Sequence, residues 1–154
     1  VAGPNGPAEV LCVVQTLTQD GRATLVELGA RGLLITPWHP VQVNGVWRLP
    51  MDLALPAERD CRAVYSIALR QGHVITVGGI KSLCLGHGFD GDVVAHPYWG
   101  TVRVLEDLRR MRGWEQGRVV LAPSPVVRDE AGIACGLIGG IPEDECASRE
   151  ESAM

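Results

Sequence analysis

Short runs of β-forming residues separated by turn residues fill the first 88 residues of this chain, and this alternation limits its possible folds more than any other feature. The runs are rich in Val, Ile, Leu and Thr, and most of the turns between them contain Gly. Asn44-Gly45 is the clearest turn, because this dipeptide favours a two-residue β-hairpin. Many short strands at turn-marked intervals predict an all-β fold, whether a barrel, a sandwich or a disc-like assembly of sheets, and argue against an α/β fold.

The predicted strands follow these runs. They cover residues 8–17, 23–28, 33–36, 41–43, 46–49, 62–69 and 73–85. Between them, residues 50–60 are predicted to form a polar connection that holds Asp52 and one helical turn.

The pattern changes after Gly88. Residues 89–100 are rich in Gly, Asp, His and Pro, which predicts a loop. Residues 101–111 predict the one good helix of the chain, because Thr101 can cap its start and apolar residues recur on one face. Residues 119–127 predict a last strand. We therefore expect a β domain over residues 1–88, an extension with one helix over residues 89–128, and a tail over residues 129–154 that is partly disordered.

Composition and charge exclude several classes of function. The net charge is −4, and the 14 basic residues are scattered, so no surface for nucleic acid is expected. No apolar run approaches the roughly 20 residues that span a bilayer, so we expect a soluble protein without membrane insertion. The five cysteines are odd in number and contain no CxxC pair, which argues against a disulfide framework and favours reduced thiols in the cytoplasm.

A rigid corner interrupts the β pattern at residues 34–41. An apolar strand leads into Thr36, and His39 follows three residues later. Pro37 and Pro40 fix the backbone on both sides of Trp38-His39, because each locks its own φ and disfavours helix at the residue before it. This corner suits a histidine that must hold one hydrogen bond in a fixed place.

Several other side chains can carry chemistry. Cys84 and His87 lie three residues apart, and His73 or His96 could complete a metal site, although the spacing matches no known zinc motif. The alternative is that His73 and His96 are ordinary histidines at strand ends. We therefore predict no metal and no cofactor.

The order of these motifs resembles that of the Hint superfamily, which comprises inteins and Hedgehog autoprocessing domains. Thr36 and His39 resemble its Thr-x-x-His motif, and residues 64–80 resemble the hairpin near the end of such domains. Residues 82–88 fall where inteins end in His-Asn and Hedgehog domains carry Ser-Cys. The segment around Asp52 resembles the one in which Hedgehog domains hold an aspartate.

The closest resemblance is to the Vint branch, whose Hint domains are found with von Willebrand factor A modules. The features that carry it are the T-P-W-H-P-V run at residues 36–41, the L-G-H-G-F run at residues 85–89 and the H-P-Y-(aromatic)-G-T run at residues 96–101. The resemblance covers about residues 1–128.

This resemblance implies self-cleavage of a parent protein by an N-to-S acyl shift. A cysteine attacks the carbonyl before it, and water, a thiol or another small nucleophile resolves the thioester. His39 would protonate or polarise the poor leaving amide nitrogen, and Thr36 would help to hold the scissile amide. Cys84 would act as second nucleophile or thiol partner if His87 lowers its pKa. Asp52 would activate the resolving nucleophile, or alternatively is a solvated aspartate in a loop. The substrate would be the protein's own N-terminal flanking segment.

Two departures from the family pattern limit this interpretation. Gly88 follows His87 where inteins carry Asn, so we expect cleavage without splicing. The initiating cysteine is absent, since residues 1–8 resemble sequence from inside a Hint domain, and we expect the chain to be truncated at its N-terminus. The alternative function is therefore a catalytically inactive, Hint-shaped module that binds a protein or a ligand.

Overall fold

β-Strands make up most of the regular structure in the computed structural model, which describes residues 1–3 and 6–139. This confirms the predicted all-β fold. The strands are β1 (Ala2–Gly3), β2 (Gly6–Pro7), β3 (Val10–Leu17), β4 (Arg22–Leu28), β5 (Leu33–Ile35), β6 (Val41–Val43), β7 (Val46–Arg48), β8 (Ala57–Asp60), β9 (Ala63–Leu69), β10 (Val74–Val77), β11 (Ile80–Leu83), β12 (Arg118–Leu121), β13 (Val126–Arg128) and β14 (Ala134–Leu137). One α-helix, α1 (Val102–Arg109), lies between β11 and β12.

The strands form several small sheets rather than one barrel. β3 lies at the centre of a three-stranded sheet, antiparallel to β9 and parallel to β12. β10, β11, β6 and β7 form an antiparallel sheet in that order, and β5, β4 and β8 form another. Two-stranded pairs, β1 with β2 and β13 with β14, complete the arrangement.

Helix α1 closes the largest hydrophobic core. Thr101 caps it as predicted, because its side-chain oxygen accepts a hydrogen bond from the backbone N–H of Arg103 at 3.3 Å. Val104, Leu105 and Leu108 are buried on one face of the helix, in a cluster with residues of β3, β9, β12 and β14. The free energy gained by burying these apolar side chains holds the helix against the central sheet.

Three details differ from the sequence prediction, and the prediction of a partly disordered tail is not tested. Residues 73–85 form two strands rather than one, because Gly78-Gly79 turns the chain with positive φ at both residues. β8 forms in the predicted connection, where Glu58 pairs in register with Thr24. The predicted strand 119–127 is divided, since residues 122–125 hold two prolines. β14 lies in the predicted tail, and residues 140–154 lie outside the described part of the chain.

The helix content also bears on membranes. Within residues 1–3 and 6–139, no helix is long and apolar enough to span a bilayer.

Candidate functional site

A cavity of about 410 Å³ opens on one face of the β12-β3-β9 sheet. Residues two apart in a strand point to the same face of the sheet. One such pair from β3, one from β9 and a single residue of β12 form part of the cavity wall. These residues are Val14 and Thr16 of β3, Val64 and Ser66 of β9, and Leu121 of β12. The central sheet therefore supplies an apolar wall with two hydroxyl groups.

The remaining walls bring together segments that lie far apart in the sequence. They are the corner at residues 36–40, the segment at residues 83–87, the loop at residues 93–99 and the β13–β14 hairpin. Four of the five predicted site residues line this one cavity: Thr36, His39, Cys84 and His87. Asp52 does not line the cavity. It lies in a short 3-10 turn (Pro50–Asp52), where its side chain is exposed to solvent.

Local hydrogen bonds hold the corner rigid. The N–H of His39 donates to the carbonyl oxygen of Thr36 at 3.3 Å, and the N–H of Met51 donates to that of Pro37 at 3.1 Å. Pro37 is buried, whereas the Trp38 side chain is 69% exposed beside the cavity. The prolines thus fix the backbone as the sequence predicts, and an aromatic side chain is left facing solvent.

The tautomer of His39 follows from its partner. Its Nε2 lies 2.7 Å from the carbonyl oxygen of Leu83. A carbonyl oxygen only accepts, so the neutral ring carries its proton on Nε2 and keeps a lone pair on Nδ1. Burial lowers the pKa of His39 below its ordinary value, and the bond to Leu83 offsets this only in part. His39 is therefore a neutral base at pH 7.

Cys84 lies in the core rather than at a reactive surface. Its side chain is 4% exposed and packs in a cluster with Leu69 and Ile75. Desolvation raises the pKa of this thiol to about 12. The thiol is therefore protonated at neutral pH, and the lowered pKa on which a nucleophilic role depends is not found here.

His87 is tied to the loop that follows it. Nδ1 accepts a hydrogen bond from the N–H of Phe89 at 2.8 Å. Nε2 packs against Gly100, where a Cβ would lie 3.1 Å away. Burial lowers the pKa of His87, and the nearby His73 lowers it further. The ring is neutral at pH 7 and acts as a link within the loop.

Gly100 allows this arrangement. A Cβ at that position would lie 3.0 Å from Cε1 of His87 and 2.9 Å from the carbonyl oxygen of His96. The loop backbone therefore approaches the imidazole more closely than any other residue type permits.

His96, which the sequence analysis considered only as a possible metal ligand, also lines the cavity. Its Nδ1 accepts hydrogen bonds from the N–H groups of Tyr98 and Trp99, at 3.0 and 3.1 Å. Burial lowers its pKa, and the positive charge of Arg128 lowers it further. A signal was present in the sequence, since His96 opens the compact run at residues 96–101, where a side chain that accepts from the next backbone N–H groups is expected.

The metal alternative has a simple geometric test. In the part of the chain that the structure describes, no group of three or more His, Cys, Asp or Glu side chains is arranged to hold a metal ion. His73 does not line the cavity, and its buried Nδ1 has no hydrogen-bond partner among the residues that the structure describes.

Comparisons with known proteins bear on the same region. A family model described as "Vint: Hint-domain" matches residues 1–136. The matched span includes all five predicted site residues and His96, and it extends beyond the resemblance seen in the motifs. No curated protein matches the chain at a significant level.

Proposed function

The chain belongs to the Vint family of Hint domains, and from this premise we propose that it cleaves its parent protein at the domain's N-terminal junction, through a thioester and without splicing. Hint domains are an autoprocessing type of domain, which is the general class that the family match supports. The single observation that carries the specific reaction is the state of His39, a neutral base held on the wall of a cavity by its bond to Leu83.

The first step is a proton relay through Nδ1 of His39. A cysteine thiol at the junction gives its proton to this lone pair, and the sulfur attacks the carbonyl carbon of the preceding residue. The imidazolium then returns the proton to the peptide nitrogen as the C–N bond breaks. The products are a thioester and a free amine, and the proton balance closes without an external acid or base.

A lowered pKa suits His39 to this relay. A neutral imidazole can take up the thiol proton at pH 7, and the imidazolium that forms releases its proton more readily than a solvated one because burial disfavours its charge. Thr36 lines the same cavity three residues earlier, where its hydroxyl would hold the scissile amide in line with the ring.

The second step resolves the thioester with water, a thiol or another small nucleophile. Gly88 stands where cyclisation would require Asn, so the C-terminal flank is not released. Cys84 and Asp52 remain candidates for this step only. Cys84 lines the cavity but is protonated, and Asp52 is exposed outside it, so a change of conformation would have to precede either role.

The test uses the parent protein with its own upstream sequence. Intact mass is followed over time with and without hydroxylamine or dithiothreitol, for the wild type, His39→Ala and His73→Asn. We expect nucleophile-accelerated cleavage at the N-terminal junction that His39→Ala abolishes. His73→Asn is the matched control, because it removes a histidine outside the cavity and Asn tolerates the positive φ of 51° at that position.

The alternative reading has a distinct result in this experiment. No cleavage of the wild type under any nucleophile would rule out autoprocessing and leave a Hint-shaped binding module, with the exposed Trp38 beside the cavity as its first contact to test.

A further inference from the structure

Three histidines line the cavity, and they differ in whether a ring N–H is available to a ligand. In His39 the Nε2–H donates to Leu83, and Nδ1 is reserved for the proton relay. In His87 Nδ1 accepts from the N–H of Phe89, and Nε2 is packed against Gly100, where a Cβ would lie only 3.1 Å away. His96 uses only Nδ1, and no hydrogen bond is found at its Nε2 among residues 1–3 and 6–139.

The backbone fixes both the tautomer and the orientation of His96. Nδ1 accepts two N–H groups, from Tyr98 and Trp99, so it holds no proton and the neutral ring must carry its proton on Nε2. The two N–H groups belong to the turn that follows His96, and Nε2 lies on the opposite side of the ring from that turn. The N–H of Gly100 donates in turn to the carbonyl oxygen of His96 at 3.2 Å, which closes the turn around the ring. The donor is therefore oriented before any substrate arrives.

The cleavage step needs a donor of this kind. When sulfur attacks a peptide carbonyl, negative charge develops on the carbonyl oxygen, and a fixed hydrogen-bond donor lowers that barrier. His39 cannot supply the donor, because one nitrogen is bound to Leu83 and the other moves the proton. A second, independent donor on the same cavity wall would lower the barrier further, and the ring N–H of His96 is such a donor.

We propose that His96 is a further catalytic residue, whose Nε2–H donates a hydrogen bond to the oxygen of the scissile carbonyl as that oxygen becomes negative. This proposal rests on the proposed function. No bond to His96 is made or broken, since its proton stays on Nε2 throughout the step.

The charges around His96 favour this role. Arg128 lines the same cavity, and its guanidinium donates to the carbonyl oxygen of Gly132 at 3.0 Å, which holds the side chain in place. A nearby cation stabilises a developing oxyanion, and it also disfavours protonation of His96. The ring therefore stays a neutral donor and does not compete with the base His39 for the thiol proton.

Two substitutions separate a donor from a structural role. In His96→Asn the side-chain oxygen replaces Nδ1 as acceptor for the two backbone N–H groups, but the distal N–H is lost. In His96→Gln the amide N–H reaches the position of Nε2, but the acceptor near the backbone is lost. Thioester formation is measured in the parent protein with saturating hydroxylamine, so that resolution does not limit the rate, and thermal midpoints are recorded in parallel.

We expect His96→Asn to slow thioester formation about 10²- to 10³-fold with an unchanged thermal midpoint. His96→Gln should stay within about tenfold of the wild-type rate, even if its midpoint falls. A wild-type rate in His96→Asn, or equal losses in both variants, would overturn the proposal. If the wild type itself does not cleave, the proposed function fails first and this inference fails with it.

A second measurement needs no cleavage. Side-chain ¹⁵N shifts of His96 in the wild-type protein at pH 7 should report a neutral ring protonated on Nε2. A proton on Nδ1, or an imidazolium at that pH, would contradict the proposal even if His96→Gln cannot be purified.

Discussion

Nε2 of His39 lies 2.7 Å from the carbonyl oxygen of Leu83, the residue that immediately precedes Cys84. This bond joins the corner at residues 36–40 to the end of β11, although 44 positions separate the two residues in the chain. The N–H of Leu83 donates back to the carbonyl oxygen of Pro40 at 3.1 Å, so the two segments are tied in both directions. The position of the imidazole and its tautomer are thus properties of one tertiary contact.

This contact predicts a stability effect that is separate from catalysis. His39→Ala removes the donor and leaves the Leu83 carbonyl without its side-chain partner, so the free energy of unfolding should fall by about 1–3 kcal/mol. His39→Gln keeps a distal N–H, so its free energy of unfolding should fall by less than that of His39→Ala. Urea unfolding of the three proteins at pH 7.5 measures the difference, and equal stability of wild type and His39→Ala would mean that the bond is absent in solution.

Acid should destabilise the fold within the range where histidines titrate. The pKa values of His39, His73, His87 and His96 are all lowered from the ordinary value of 6.5, chiefly by burial. Below about pH 6.5 the unfolded chain therefore binds protons that the folded chain does not, and stability rises with pH there and falls as the pH drops.

Urea midpoints recorded between pH 7.5 and 5.5 test this sign. The midpoint should decrease steadily as the pH falls below 6.5, and His73→Asn should reduce the slope because it removes one of the contributing groups. An unchanged midpoint over this range would show that the histidines are solvated in the folded protein.

The thiols should differ strongly in reactivity. Cys12 is 0% exposed and Cys84 is 4% exposed, and burial raises the pKa of both. Cys61 and Cys135 are only partly buried. Of the four cysteines that the structure describes, Cys61 and Cys135 should react first with a disulfide reagent at pH 8, as read by peptide mapping, and Cys84 should react only after unfolding. Early labelling of Cys84 would mean that the cavity opens and would support its role as second nucleophile.

Gly100 should not tolerate a larger side chain. Gly100→Ala would place a Cβ 2.9 Å from the carbonyl oxygen of His96 and 3.0 Å from Cε1 of His87, so the loop must shift. We expect a loss of about 1–3 kcal/mol in the free energy of unfolding. Gly139→Ala is the matched control, since no atom of residues 1–3 and 6–139 lies within 4 Å of a Cβ there. Equal midpoints for the two variants would refute the close packing of this loop.

The secondary structure was largely readable from the sequence, because it depends on local chemistry. The β-branched runs, the Asn44-Gly45 turn and the cap at Thr101 each specify their own element through backbone geometry. β8 was missed, since Ala57–Asp60 has no apolar alternation and becomes a strand through pairing with β4 and ion pairs such as Arg22 with Asp60 at 2.6 Å.

By itself the sequence determined the all-β class, the family and four of the residues that line the cavity, because motif order and strand patterns are written in local residues. Only the tertiary structure decided the state of each side chain. It buried the Cys84 thiol, left Asp52 outside the cavity, bound Nδ1 of His87 to the following loop and, among the described residues, left one N–H of His96 available. These outcomes depend on desolvation and on hydrogen-bond partners, which come from segments distant in the chain or from the fold of a loop.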